Sequence, residues 1–181
     1  RVKYSLPERY FLVSNQFHKH KNHRVLLLAL SKLRGMGVNV HIAFTGKFPE
    51  TPDSPYLAEL HKIIEENDLQ NNITMLGLIS RSDQLLIMKH SQAVIQPSLF
   101  EGWSTVIEDA KSLQVPVIAS NLKVNVEQLG KDGVYFDPHN PDEIADILKK
   151  YPGRNLSDLF YEDYLTRIKK AAVELKDILA G

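Results

Sequence analysis

No cysteine occurs among the 181 residues. That excludes a disulfide scaffold, a thiolate metal site and a cysteine nucleophile. Long apolar runs are missing too, and none approaches the roughly 20 residues needed to cross a bilayer. With nine glycines and nine prolines the chain is no collagen and no low-complexity polymer. The common nucleotide signatures are also absent. No G-x-G-x-x-G follows a strand-like segment, since Gly35 and Gly37 precede one, which argues against a nicotinamide or flavin dinucleotide fold. Gly46-Lys47 is followed by Phe48 and lacks the P-loop glycine upstream, and no H-E-x-x-H is present.

The sequence has 43% hydrophobic and 24% charged residues, the balance of a soluble globular chain. Its length suits one domain with one substantial core. The net charge of zero hides an asymmetry: between Arg9 and Pro49 stand seven Lys/Arg and no Asp or Glu. Such a local field attracts anions whatever the total charge. Nucleic acid is one candidate, but aromatics are not interleaved with the basic residues as a stacking platform requires. A phosphorylated small molecule is the other.

Strand-like and helix-like segments alternate about six times. Strands are expected at 10–14, 38–44, 73–76, 93–95, 115–119 and 134–136. Helices are expected at 25–34, 55–67 (Ser54 as cap, after a loop from Thr51), 80–90, 105–113, 141–150 and 156–179. This order predicts an α/β fold, a Rossmann-like three-layer αβα sandwich with a parallel sheet of about six strands. Ligands of such sheets sit beyond the carboxyl ends of the strands, so function is expected in the turns that follow them.

Two of those turns carry chemistry. The first, Ser14-Asn15-Gln16-Phe17-His18-Lys19-His20-Lys21-Asn22-His23-Arg24, enters a helix. Cations there oppose the helix dipole, and a bound anion would resolve the conflict; the competing reading is a solvated basic face. The three histidines lack nearby carboxylates and are expected to be solvated loop residues rather than metal ligands. The second turn is Gln96-Pro97-Ser98-Leu99-Phe100-Glu101-Gly102-Trp103-Ser104-Thr105-Val106-Ile107-Glu108-Asp109-Ala110. Glu101 precedes the helix and Glu108 falls in its first turn. Two acceptor-only carboxylates suit a polyhydroxy ligand, although Thr105-x-x-Glu108 also reads as a capping box. Trp103, the single Trp, is expected in the core.

Glu101 to Ala110, preceded by Pro97-Ser98, resembles the acidic E-x7-E region of the GT-B glycosyltransferases, in particular glycosyltransferase family 4 (glycosyl transferases group 1). The loop 14–23 looks like that family's first strand-to-helix loop. Val115-Pro116-Val117-Ile118-Ala119-Ser120 and Asp132-Gly133-Val134-Tyr135-Phe136-Asp137-Pro138 are similar to the framework that follows. The resemblance implies the C-terminal, donor-binding half of a retaining enzyme that uses no metal and no cofactor beyond its nucleoside diphosphate sugar. Residues 1–155 would form the sugar-nucleotide domain and 156–181 its helical extension. The absent N-terminal half would hold a lipid-linked or saccharide acceptor, and no nucleic acid would be bound. The protein would be cytoplasmic or peripheral to the inner membrane face.

Residue by residue, Lys21 would hold the diphosphate, Glu108 the ribose hydroxyls and Glu101 the donor sugar. Gly102, Trp103, Ser104 and Thr105 would supply amides near sugar and phosphate. Gly46 would turn beside the nucleotide, and Leu78 and Ile79 beside the base. Two departures stand out: only six residues separate Glu101 from Glu108, and Gln16 stands where the family commonly has Arg. They leave a second reading open, a Rossmann-like binding or interaction module without catalysis.

Overall fold

The computed structural model describes residues 2–49, 54–158 and 160–180; the loop expected at Thr51-Pro52-Asp53 lies outside them. Six strands, β1 (Phe11–Ser14), β2 (Ile42–Thr45), β3 (Ile73–Gly77), β4 (Val94–Gln96), β5 (Val117–Ser120) and β6 (Val134–Phe136), form one sheet in the order β3-β2-β1-β4-β5-β6. Every pairing is parallel. The helices are α1 (His23–Gly35), α2 (Pro55–Glu66), α3 (Arg81–His90), α4 (Thr105–Ser112), α5 (Lys123–Leu129), α6 (Pro141–Lys150) and α7 (Tyr164–Ala180).

Alternation along each strand divides the core in two. Phe11, Val13, Ile42, Phe44, Ile95 and Ile118 face the layer of α1, α2 and α6. Leu12, Ala43, Val94, Val117 and Ala119 face α3, α4 and α5. The expected αβα sandwich is therefore present, and its winding reverses between β1 and β4. Local signals set the helix ends. Ser80 Oγ accepts the Asp83 amide at 3.2 Å, and Asn140 caps α6 ahead of Pro141 with acids in the first turn and lysines in the last.

Several expected boundaries move. β2 starts at Ile42, because pairing with β1 begins only where the Phe11 amide meets the His41 carbonyl at 2.9 Å. Ser54 makes no side-chain cap on α2. The cap of α4 is Ser104, which accepts the Ile107 amide, so Thr105 is the first helical residue and Thr105-x-x-Glu108 is no capping box. The last helix starts at Tyr164, not 156. α5 was not expected at all: it is short, polar and has no side-chain cap.

Candidate functional site

The switch point places the loops after β1 and β4 side by side. After β1 the chain makes a short 3-10 turn, Lys19–Lys21, closed by Asn22 in the left-handed region at φ 54°. Asparagine tolerates this backbone, and its amide has further work: Nδ2 donates to the carbonyls of Pro97 at 3.1 Å and Pro138 at 2.8 Å. The Leu99 amide donates to the His20 carbonyl at 2.7 Å. The loops after β1, β4 and β6 are thus joined main chain to side chain.

That framework brings Lys21 Nζ to 2.7 Å from Glu101 Oε1, with only 18% and 8% of the two side chains exposed. Glu101 Oε1 also accepts from Gln96 Nε2 at 2.5 Å and Ser98 Oγ at 2.6 Å. The half-buried pair borders a hollow of about 220 Å³ lined by Ser14, Asn15, Gln16, Lys21, Glu101, Trp103, Ser104, Thr105 and Val106. Lys21 and Glu101, two cross-loop neighbours 80 positions apart, therefore meet at the mouth of the sheet, beside the first residues of α4. The Gly46 turn lies beneath: a Cβ there would stand 2.1 Å from the Asn15 carbonyl oxygen, at φ 152°. Only glycine lets the two loop backbones approach so closely.

Other expected residues fall elsewhere. Glu108 points toward α5, where Oε1 accepts from Gln128 Nε2 at 3.1 Å and lies 3.7 Å from Lys111 Nζ. It does not line the hollow with Lys21 and Glu101. Leu78 is 78% exposed on the rim after β3, and Ile79 packs toward the α3 and α4 layer. A Cβ at Gly102 would meet open space, so packing does not demand glycine there. Trp103 is 56% exposed rather than in the core, because the loop carrying it runs over the open end of the sheet.

The histidine cluster splits as well. His23 is fully buried, stacked on Phe17 at 4.4 Å between ring centres, so it is no solvated loop residue. Burial, reinforced by the Lys21 charge against a backbone bond toward Asn15, lowers its pKa from 6.5 to about 4. Partial burial and neighbouring Lys21 lower the His20 pKa as well. Two of the cations at the start of α1 have found acids, Lys21 with Glu101 and Arg24 with Glu59 at 2.7 Å. Among the described residues no three of His, Asp and Glu converge as a metal site would require.

One acid escaped the sequence reading. Seven residues separate Glu101 from Asp109, the spacing of the motif that the chain resembles. Asp109 Oδ1 accepts from Arg81 Nη2 at 2.5 Å, and its Oδ2 is buried without a hydrogen-bond partner. Counting eight positions on from Glu101, rather than taking the next glutamate, finds it.

Residues 3–153 match the glycosyl transferases group 1 family. The chain belongs to that family. CapJ of Staphylococcus aureus is 25% identical over 160 residues, which is 88% of this chain and 38% of that protein. The capsular polysaccharide biosynthesis glycosyltransferase CapH, also of S. aureus, is 28% identical over 174 residues, 94% of this chain and 47% of that one. The chain thus spans less than half the length of these relatives. Among solved structures, Alr3699/HepE of Anabaena in complex with UDP superposes with a TM-score of 0.67 at 22% identity, over 78% of this chain and 38% of that one. This likeness shows a shared fold.

Proposed function

We propose that this chain is the donor-binding half of a GT-B glycosyltransferase, transferring a hexose-type sugar from a nucleoside diphosphate to an acceptor hydroxyl in surface polysaccharide or glycan synthesis. The observation that carries the reading is the Lys21–Glu101 contact at 2.7 Å, made where β1 and β4 part. A diphosphate arriving there meets the Lys21 ammonium and the first residues of α4, a combination suited to an anion. When the bond from the anomeric carbon to the diphosphate breaks, the leaving group takes the electron pair, and Lys21 stabilises the developing charge. The acceptor oxygen bonds to that carbon on the face the diphosphate leaves, retaining configuration, and its proton goes to the departing phosphate. No metal enters this account.

Glu101 accepts hydroxyl bonds from the sugar. Asp109 takes the ribose role that the resemblance implies for the second acid of the motif, and Glu108 ties α4 to α5. UDP binding by the Anabaena relative supports a nucleoside diphosphate as ligand, and the capsular role named for CapH supports the polysaccharide setting. No described helix is long and apolar enough to cross a membrane; work at the cytoplasmic face, in company with an N-terminal acceptor half, is part of the proposal. Alone, this half binds donor and does not turn it over.

Trp103, on the rim, reports binding by its fluorescence. Titration with UDP, GDP and ADP is expected to show saturation for at least one. Lys21→Ala weakens that binding about tenfold or more through loss of a charge-assisted bond. Silence of all three nucleotides at millimolar concentration sinks the reading.

A further inference from the structure

We propose that Gln96 is a positioning residue for Glu101: its amide pins one carboxylate oxygen so that the other is presented to the donor sugar. This rests on the donor-site reading above. Gln96 ends β4 directly after Val94 and Ile95, and it is 1% exposed. A buried glutamine is costly unless its amide is bonded at both ends, and here it is. Its Oε1 accepts from Asn15 Nδ2 at 3.0 Å. Its Nε2 donates to Glu101 Oε1 at 2.5 Å and to Ser98 Oγ at 3.3 Å. The chemistry fixes the sense of the amide, because a reversed Gln96 would set its oxygen against the Glu101 carboxylate.

Glu101 Oε1 is saturated by Lys21, Gln96 and Ser98. Among the described residues every hydrogen bond to this side chain falls on Oε1, so the acceptor capacity left for a ligand is on Oε2. The anchor is itself anchored: Ser120 Oγ donates to the Ser98 carbonyl at 2.7 Å, and Asn125 Nδ2 donates to Ser120 Oγ at 3.0 Å. Asn15, Gln96, Ser98, Ser120 and Asn125 are all buried. Lys21, by contrast, is the group a diphosphate would draw away. Gln96 and Ser98 then still hold Oε1, so Glu101 keeps its orientation whether or not the lysine has turned to phosphate.

The test uses this chain with two ligand pairs, UDP with UDP-glucose and GDP with GDP-mannose. The readout is the affinity for the sugar nucleotide divided by that for the free nucleotide, in whichever pair binds. An indirect loss of stability moves both affinities together; misdirection of Glu101 moves the ratio. Gln96→Leu is expected to lower the ratio about tenfold, the worth of one hydrogen bond to a charged group. A folded Gln96→Leu chain with a ratio within twofold of the parent overturns the proposal. If that variant does not fold, Ser98→Ala decides: a fall of about threefold, from loss of one neutral donor, supports it, and an unchanged ratio overturns it. A parent chain that binds none of the four ligands overturns the donor-site reading itself, and this proposal with it.

Discussion

At the carboxyl ends of the strands, Lys21, Gln96, Ser98 and Glu101 bond to one another. At the amino ends, Arg154 and Gln114 bond to main chain. Arg154 donates to the carbonyls of Lys89, Ser91 and Gln114 at 2.8, 3.0 and 2.9 Å. Gln114 Oε1 accepts the amides of Phe160 and Tyr161, and its Nε2 returns a bond to the Tyr161 carbonyl. The hollow beside Arg154, about 470 Å³, is roughly twice the size of the one beside Lys21. Yet three N–H bonds of its guanidinium are committed to main-chain carbonyls and hold the segment that leads to α7, and the Nε left without a partner is buried. Volume therefore misleads, and the informative quantity is capacity left over after folding that is not sealed in. Among the described residues the lower end leaves only the buried Arg154 Nε and Tyr161 OH, and the carboxyl ends leave Glu101 Oε2, which is not among the buried unpartnered atoms.

Four experiments break or sharpen that contrast. The largest effect is expected for Gly46→Ala, since its Cβ would overlap the Asn15 carbonyl; urea unfolding should show a loss of more than about 3 kcal/mol. A small loss would mean that the upper loops are not rigidly seated. Next comes acid. Unfolded His23 titrates near 6.5 and folded His23 near 4. The unfolded chain therefore takes up a proton that the folded chain refuses. Stability is full above pH 6.5 and declines as pH falls toward 4, by about 3 kcal/mol in all. His23→Phe should flatten that slope between pH 7 and 4; parallel slopes for parent and variant would refute the assignment.

Arg154→Ala is expected to cost about 2–3 kcal/mol through three abandoned carbonyls, with nucleotide affinity within twofold of the parent. A large loss of affinity would erase the division of labour between the two ends. The smallest and most discriminating experiment compares neighbours. Asp109→Asn should weaken nucleotide binding several-fold, about 1 kcal/mol, as expected for one charge-assisted bond reduced. Glu108→Gln should do no more than trim stability by about 0.5 kcal/mol at the helix start. The opposite ranking would return the ribose role to Glu108.

The αβα alternation was readable because each element carries its own period and punctuation; Ser80 before Asp83 is an example. Lys21 and Glu101 were readable as residues through the ordered motifs around them, though no local pattern shows that they touch. What escaped depends on partners far along the chain. Glu108 reads as the ribose acid or as part of a cap, and neither reading contains Gln128, 20 positions away, which donates to its carboxylate. His23 looked solvated because only the fold brings Phe44 and Tyr56 around it. Gln96 reads simply as the residue that leaves a strand, and its meaning lies in Asn15, in the loop after β1. α5 escaped for a different reason, since seven polar-rich residues without a side-chain cap give no signature.

The Asn22 side chain has one more implication. By fastening Pro97 and Pro138 to the loop that bears Lys21, it makes three crossover entrances into a single rigid bracket. A descendant adapting this face to a different ligand gains little from lengthening or reshaping any one of those loops, because the other two would be dragged along. Its accessible route is exchange of individual side chains on an unchanged scaffold, at places such as Gln16, Trp103 and Thr105.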